Sequence, residues 1–110
     1  MTPARTIDEY RLRLAERLMA ANPAITYTTP AQEPLLAIPV LEIEVEADGS
    51  VRHIGVVRMP SQATDTVQIA IDAVRRAAPF GDATRLPRPW KIVETFLFDD
   101  ERRFKPRILD

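Results

Sequence analysis

The sequence predicts an α+β domain: an antiparallel sheet of three to four strands with two helices packed on one face. Three observations predict it. Residues 40–47 alternate, with Leu41, Ile43, Val45 and Ala47 set against Glu42, Glu44 and Glu46, the period of a half-buried strand. Asp48-Gly49 follows at once, and an apolar run resumes at Val51 and continues to Arg58, the pattern of a hairpin. On either side of that hairpin lie segments whose apolar residues recur at helical spacing. Helices segregated from a sheet that begins with a hairpin belong to the α+β class.

The first helix is expected at residues 7–21. Thr6 and Glu9 have the spacing of a capping box, Ile7, Tyr10, Leu14 and Leu18 line one stripe, and Arg11, Arg13, Glu16 and Arg17 fall mostly off it. Asn22-Pro23 ends the helix. The segment 22–39 holds Pro23, Pro30, Pro34 and Pro39, which rule out a long helix and favour extended or turn structure. Its Ile25, Tyr27, Leu35, Leu36 and Ile38 predict that it wraps the domain instead of floating free. In the hairpin, a two- or four-residue loop puts Ile54 and Val56 on the face of Ile43 and Val45. A three-residue loop without a bulge would mix the faces, so the buried pattern selects against it. His53 then lies opposite Glu44 or Glu46.

The second helix is expected to begin near Thr64-Asp65, with Asp65 and Gln68 as a capping pair. Val67, Ala70, Ile71, Val74 and Ala78 form its core stripe, and Pro79 is its stop. Arg75 and Arg76 suit the negative end of its dipole. Residues 79–89 read as a turn-rich connection. Trp90 to Phe98 is the strongest remaining strand, with Trp90, Ile92, Phe96 and Phe98 on one side and Val93 and Leu97 on the other. Asp99-Asp100 makes a turn, and Arg103 to Leu109 reads as a short last strand that Pro106 confines to an edge. All 110 residues form one domain: helix 7–21, Pro-rich segment 22–39, a hairpin–helix–strand core 40–98, and a tail 99–110.

Composition narrows the function. The chain has no cysteine, which excludes disulfides, thiol nucleophiles and thiolate metal sites. A net charge of -1 exerts no long-range pull on nucleic acid or an anionic membrane. No apolar run approaches the roughly 18 residues of a membrane span, so no membrane insertion by this segment is expected. Residues 1–5 lack the apolar core of a secretory signal. A periplasmic location is expected if the chain is part of an anchored protein, and a cytoplasmic one if Met1 is the native start.

The polar clusters read as surface chemistry. His53 is the only histidine, too few for an imidazole metal site, and it fits a cross-strand pair with a glutamate. Glu42, Glu44 and Glu46 fit a solvated strand face, with no flanking apolar pocket to raise one pKa. Gly49, Gly55 and Gly81 form no phosphate-binding fingerprint. Trp90 with Arg88 and Lys91, and Phe104 with Arg102, Arg103, Lys105 and Arg107, interleave aromatics with bases as single-strand readers do. Glu94, Asp99, Asp100 and Glu101 among those bases argue against nucleic acid. No catalytic residue, metal or cofactor is nominated, and the expectation is a protein that is not an enzyme. Charge is segregated: five acids and no base from Glu33 to Asp48, and seven bases against four acids from Arg85 to Arg107. Solvated strand faces account for this. The sharper reading is a basic C-terminal edge that receives a partner.

Five features, taken in order, resemble the C-terminal domain of the TonB and TolA energy-transducing proteins. They are Ala47-Asp-Gly-Ser-Val51, a Val-rich second strand ending in Arg58, Ala73-Val-Arg-Arg-Ala77 in the helix, the stop Pro79-Phe80, and a final aromatic strand to Phe98. Helix 7–21 occupies the place of that family's first helix. The chain departs from the family at Met59-Pro60-Ser61 and Gly81-Asp82-Ala83-Thr84. The resemblance implies a non-enzymatic cell-envelope module, serving transport, that binds an outer-membrane receptor or another envelope protein by adding a partner strand to the sheet edge. It implies Trp90–Phe98 as the docking strand, or the tail if that tail pairs with it. The partner-binding residues expected are Lys91, Val93, Thr95, Leu97, Arg103, Phe104, Lys105, Arg107 and Ile108. The alternative is a stand-alone domain that self-associates as a homodimer, strand 90–98 pairing with its copy across a two-fold axis.

Overall fold

A computed structural model describes residues 2–110. The fold is α+β, with two α-helices and a four-stranded antiparallel sheet. The elements are α1 (Ile7–Ala21), β1 (Val40–Val45), β2 (Val51–Arg58), α2 (Asp65–Ala77), β3 (Lys91–Phe98) and β4 (Phe104–Pro106), with 3-10 turns at Pro23–Ile25 and Arg107–Leu109. The strand order is β2-β1-β3-β4. The helices pack on each other, α1 toward β3 and β4 and α2 toward β2.

α1 begins where the sequence places it. Thr6 has extended backbone, and its hydroxyl accepts a hydrogen bond from Glu9 N–H at 3.1 Å. The reciprocal half of the capping box does not form, because Glu9 pairs with Arg13 at 2.6 Å. Tyr10, Leu14, Ala15 and Leu18 are buried. The helix ends on Asn22, whose buried amide donates to Leu18 O (2.9 Å) and Ala73 O (3.1 Å) and accepts from Arg76 Nε (2.8 Å). One side chain thus closes α1 and ties it to α2. Asn22→Ala is expected to cost about 2 kcal/mol or more, since it leaves buried carbonyls without donors. Urea unfolding with an unchanged m-value would measure it. A loss near zero would show that the helix pair is held by its apolar contacts and by Arg17 Nε on Ala77 O (3.0 Å) without help from Asn22.

α2 does not use the predicted Asp65–Gln68 pair. Gln68 turns to Asp72 (2.9 Å), and Asp65 receives the Arg102 guanidinium (2.6 and 3.3 Å), which holds its carboxyl below the usual range. Thr66, Val67, Ala70, Ala73, Val74 and Ala77 are its buried positions, so the stripe lies slightly off the expected one, and Ile71 and Ala78 are half-buried. Ala78 leaves the helix in extended conformation ahead of Pro79.

The hairpin reaches the expected register by a route that was not expected. Glu46 N–H donates to Ser50 O, closing a three-residue loop, and a bulge at Arg52 then restores parity, so that Ile43 faces Ile54 and Glu44 faces His53. Gly49 stands at φ 86° in this loop. Its carbonyl accepts from Phe80 N–H (2.9 Å), and Ala47 O accepts from Ala83 N–H (3.0 Å). The hairpin tip is thereby clasped by the connection that follows α2, and Tyr10 Oη donates to Gly81 O at 2.9 Å from the helix side. Burial, with Asp82 and Asp48 nearby, pushes the Tyr10 phenol up to about 12.

Leu41, Ile43, Ile92, Phe96 and Phe98 point from the sheet into the helical layer, where Phe80 and Phe104 join them. The Phe96 and Phe104 rings meet at 5.0 Å edge to face. The Pro-rich segment does wrap the domain. Thr26 bridges Phe104, and Ala37 bridges Phe98.

Candidate functional site: the open sheet edges

Main-chain directions decide which parts of the sheet are free. Val45 N–H donates to Trp90 O, Phe96 N–H to Pro39 O and Phe98 N–H to Ala37 O, each at 3.0 Å. Even-numbered residues of β3 therefore turn their peptide groups toward β1, and Lys91, Val93, Thr95 and Leu97 turn theirs away. β4 pairs only with Phe96, Leu97 and Phe98. Beyond Pro106 the chain bends into a 3-10 turn. The peptide groups of Lys91 and Val93 therefore face no strand, while the Thr95 carbonyl is turned to Arg107 where the Phe96–Pro106 pairing ends, which leaves a step in the sheet in line with β4. The outer side of β4 is closed, because Tyr27 N–H donates to Phe104 O at 3.2 Å.

The second open edge is β2. Leu41, Ile43 and Val45 face β3, so Glu42 and Glu44 make the ladder with Gly55 and His53, and Ile54 and Val56 present their peptide groups to solvent. Val56 (43%), Val57 (58%) and Met59 (58%) form an exposed apolar group along this flank. Bulges at Arg52 and Val57, with the exposed charges of Arg52 and Arg58, blunt the edge in the manner of natural sheets.

The structure separates the nine residues predicted for partner binding. Lys91 and Val93 are exposed and Thr95 is half-buried, all on the step. Leu97, Phe104 and Lys105 are buried and cannot meet a partner. Leu97 lies under the Pro-rich segment, with Tyr27 Oη bonded to its carbonyl at 2.8 Å. Phe104 is core, and Lys105 Nζ is held by Thr29 O and Asp110 at 3.2 Å each. Arg103 is occupied by Asp99 at 3.0 Å, while Arg107 and Ile108 lie on the final turn. The basic C-terminal edge is accordingly not a free positive surface. Lys91 faces Glu42 at 3.8 Å, Arg102 binds Asp65, and the Arg88 guanidinium stacks 4.5 Å from the Trp90 ring centroid.

One residue was missed. Glu94 lies between Ile92 and Phe96 on the inward face of β3 and is 1% exposed. Its Oε1 has no hydrogen-bond partner, and neither does the buried Nε of Arg11, which looks down from α1. Burial pushes the Glu94 carboxyl up to about 7, against a smaller opposing pull from Arg11. Strand parity alone places Glu94 with Ile92 and Phe96, and that was the available signal.

No protein-family model, no curated protein and no solved structure matches the chain. A groove of about 770 Å³ runs between the end of α1, residues 26–29 and the final turn, with Glu16 and Arg103 as its charged walls. No helix among the described residues is long and apolar enough to cross a membrane. Among the described residues no three His, Asp or Glu side chains come together to hold a metal ion.

Proposed function

We propose that this domain is a non-enzymatic protein-interaction module that takes up an extended segment of a partner at the open half of β3. The observation that carries the reading is the step at Lys91, Val93 and Thr95, where β3 offers the unpaired peptide groups of Lys91 and Val93 and the Thr95 N–H beside a strand that stops short. An incoming segment would extend β4 along β3, gaining main-chain hydrogen bonds, with Val93 (43% exposed) offering the apolar contact on the outer face. The resemblance to the TonB and TolA C-terminal domains supports the same mode, with an envelope protein as partner and periplasmic placement in an anchored protein. That reading needs only part of the strand first expected, because β4 occupies the rest.

The test uses peptides selected from a displayed library against the protein and mapped by amide shifts. Shifts centred on residues 91–95 are expected, and Val93→Pro should weaken binding at least about tenfold while leaving the fold intact, since the Val93 N–H serves no internal bond. Shifts confined to the helices or to the groove would sink the proposal.

The exposed Val56, Val57 and Met59 favour a second reading, self-association through β2. Sedimentation across a wide concentration range, in the absence of peptide, tells the two apart.

A further inference from the structure

Glu94 and Arg11 are hard to explain as packing. A carboxyl that is 1% exposed usually has its oxygens paired, yet Oε1 has no partner, and Arg11 on α1 likewise buries an unpartnered Nε while 40% of its side chain reaches solvent. Arg11 lies outside ion-pairing range of Glu94, and its nearest acid is Asp8 at 4.0 Å. The other surroundings of Glu94 are apolar: Leu41 opposite on β1, and Ile92 and Phe96 beside it on β3. On β4, Lys105 points the other way, to Thr29 and Asp110, and on the neighbouring turn Arg107 is exposed.

We propose that Glu94 and Arg11 form a proton-operated latch that seats the N-terminal half of α1 on β3. With the carboxyl protonated, its neutral group tolerates the dry interface and α1 closes over strand 91–95. With it ionised, an unpaired charge cannot remain there. Arg11 must swing in or water must enter, and either motion lifts the start of α1. The raised Glu94 pKa places this transition near neutrality. Because Glu94 sits on the stretch of β3 that lacks an outer neighbour, the latch governs the same step that takes up a partner in the proposed function.

The test needs no partner, so its failure and the failure of strand addition are separate results. Carbon-detected titration of the Glu94 carboxyl in the wild-type protein is expected to give a midpoint near 7. Amide exchange, corrected for its intrinsic pH dependence, should show protection at residues 11–15 and at Ile92 and Glu94 falling about tenfold between pH 6 and 8.5. Glu94→Gln should abolish that fall. Arg11→Met should move the midpoint upward, because the cation that favours the ionised form is gone. A Glu94 midpoint in the ordinary carboxylate range, or an unchanged protection profile in Glu94→Gln, overturns the proposal.

Discussion

Replacing Gly49 with alanine is expected to destabilise the domain by about 3 kcal/mol or more, lowering Tm by more than roughly 10 °C. Two costs add. Gly49 stands at φ 86°, where a β-carbon is strained. That β-carbon would also overlap the Gly81 backbone and come within 2.8 Å of Phe80 N. The clash therefore falls on main chain that cannot rotate away. It would part the hairpin from residues 79–83 and loosen the hold on the buried Phe80 ring. Gly81→Ala is the internal control. Its φ is 102°, but a β-carbon there meets open space, so only the conformational cost of about 1 kcal/mol applies. Equal losses in calorimetry would mean that the hairpin tip is not clasped as described.

The second large effect is a pH dependence that Glu94→Gln should remove. Burial pushes the Glu94 carboxyl of the folded protein up to about 7, against 4.5 for a solvated glutamate. Between those values the folded protein binds more protons at this site than the unfolded chain does, so stability falls as pH rises. The favourable contribution is complete below 4.5 and lost above 7. The shift sets a ceiling of about 3 kcal/mol on the advantage that the glutamine variant gains over the wild type between pH 4.5 and 8. The exposed aspartates act in the opposite sense. Asp48, Asp65, Asp82 and Asp110 are held low, mainly by hydrogen bonds, so their contribution is lost as pH falls through and below 3.8. Wild-type stability should therefore peak between the two windows, on the acid side of neutrality. Denaturant midpoints for both proteins from about pH 2.5 to 8.5 would measure this, and parallel curves would refute it.

Much of the fold is legible in the sequence because local rules and burial agree there. Thr6, Asn22-Pro23 and the 3.6-residue stripe bound α1, and the alternation Leu41–Val45 with Asp48-Gly49 sets the hairpin. What could not be read depends on distant partners. Asp65 looks like a cap, but Arg102, which is 37 residues away, takes its carboxylate. Lys105 looks like a surface base, but the Pro-rich segment folds over it and supplies Thr29 O. The three-residue hairpin loop was set aside on parity, and the bulge that rescues it leaves no clear mark in Val51-Arg52-His53. At the candidate site, alternation correctly puts Lys91, Val93 and Thr95 together. The extent of β4, which decides how much edge remains, follows from the tertiary contacts of Thr26 and Tyr27 with Phe104. Arg11 is charged and falls outside the apolar stripe by residue type, yet it shares a helix face with the buried Leu14, Ala15 and Leu18.

The strand order β2-β1-β3-β4 has a consequence for how the molecule is made. The β1–β2 hairpin is local and can form within microseconds. Its inner flank, however, waits for β3, which is encoded about fifty residues later, and the Phe96–Phe98–Phe104 cluster waits for β4. During synthesis the hairpin therefore spends several seconds outside the ribosome with the apolar side of Leu41, Ile43 and Val45 uncovered. The acidic row Glu42, Glu44 and Glu46 on its other side then keeps nascent chains apart until the last strand arrives.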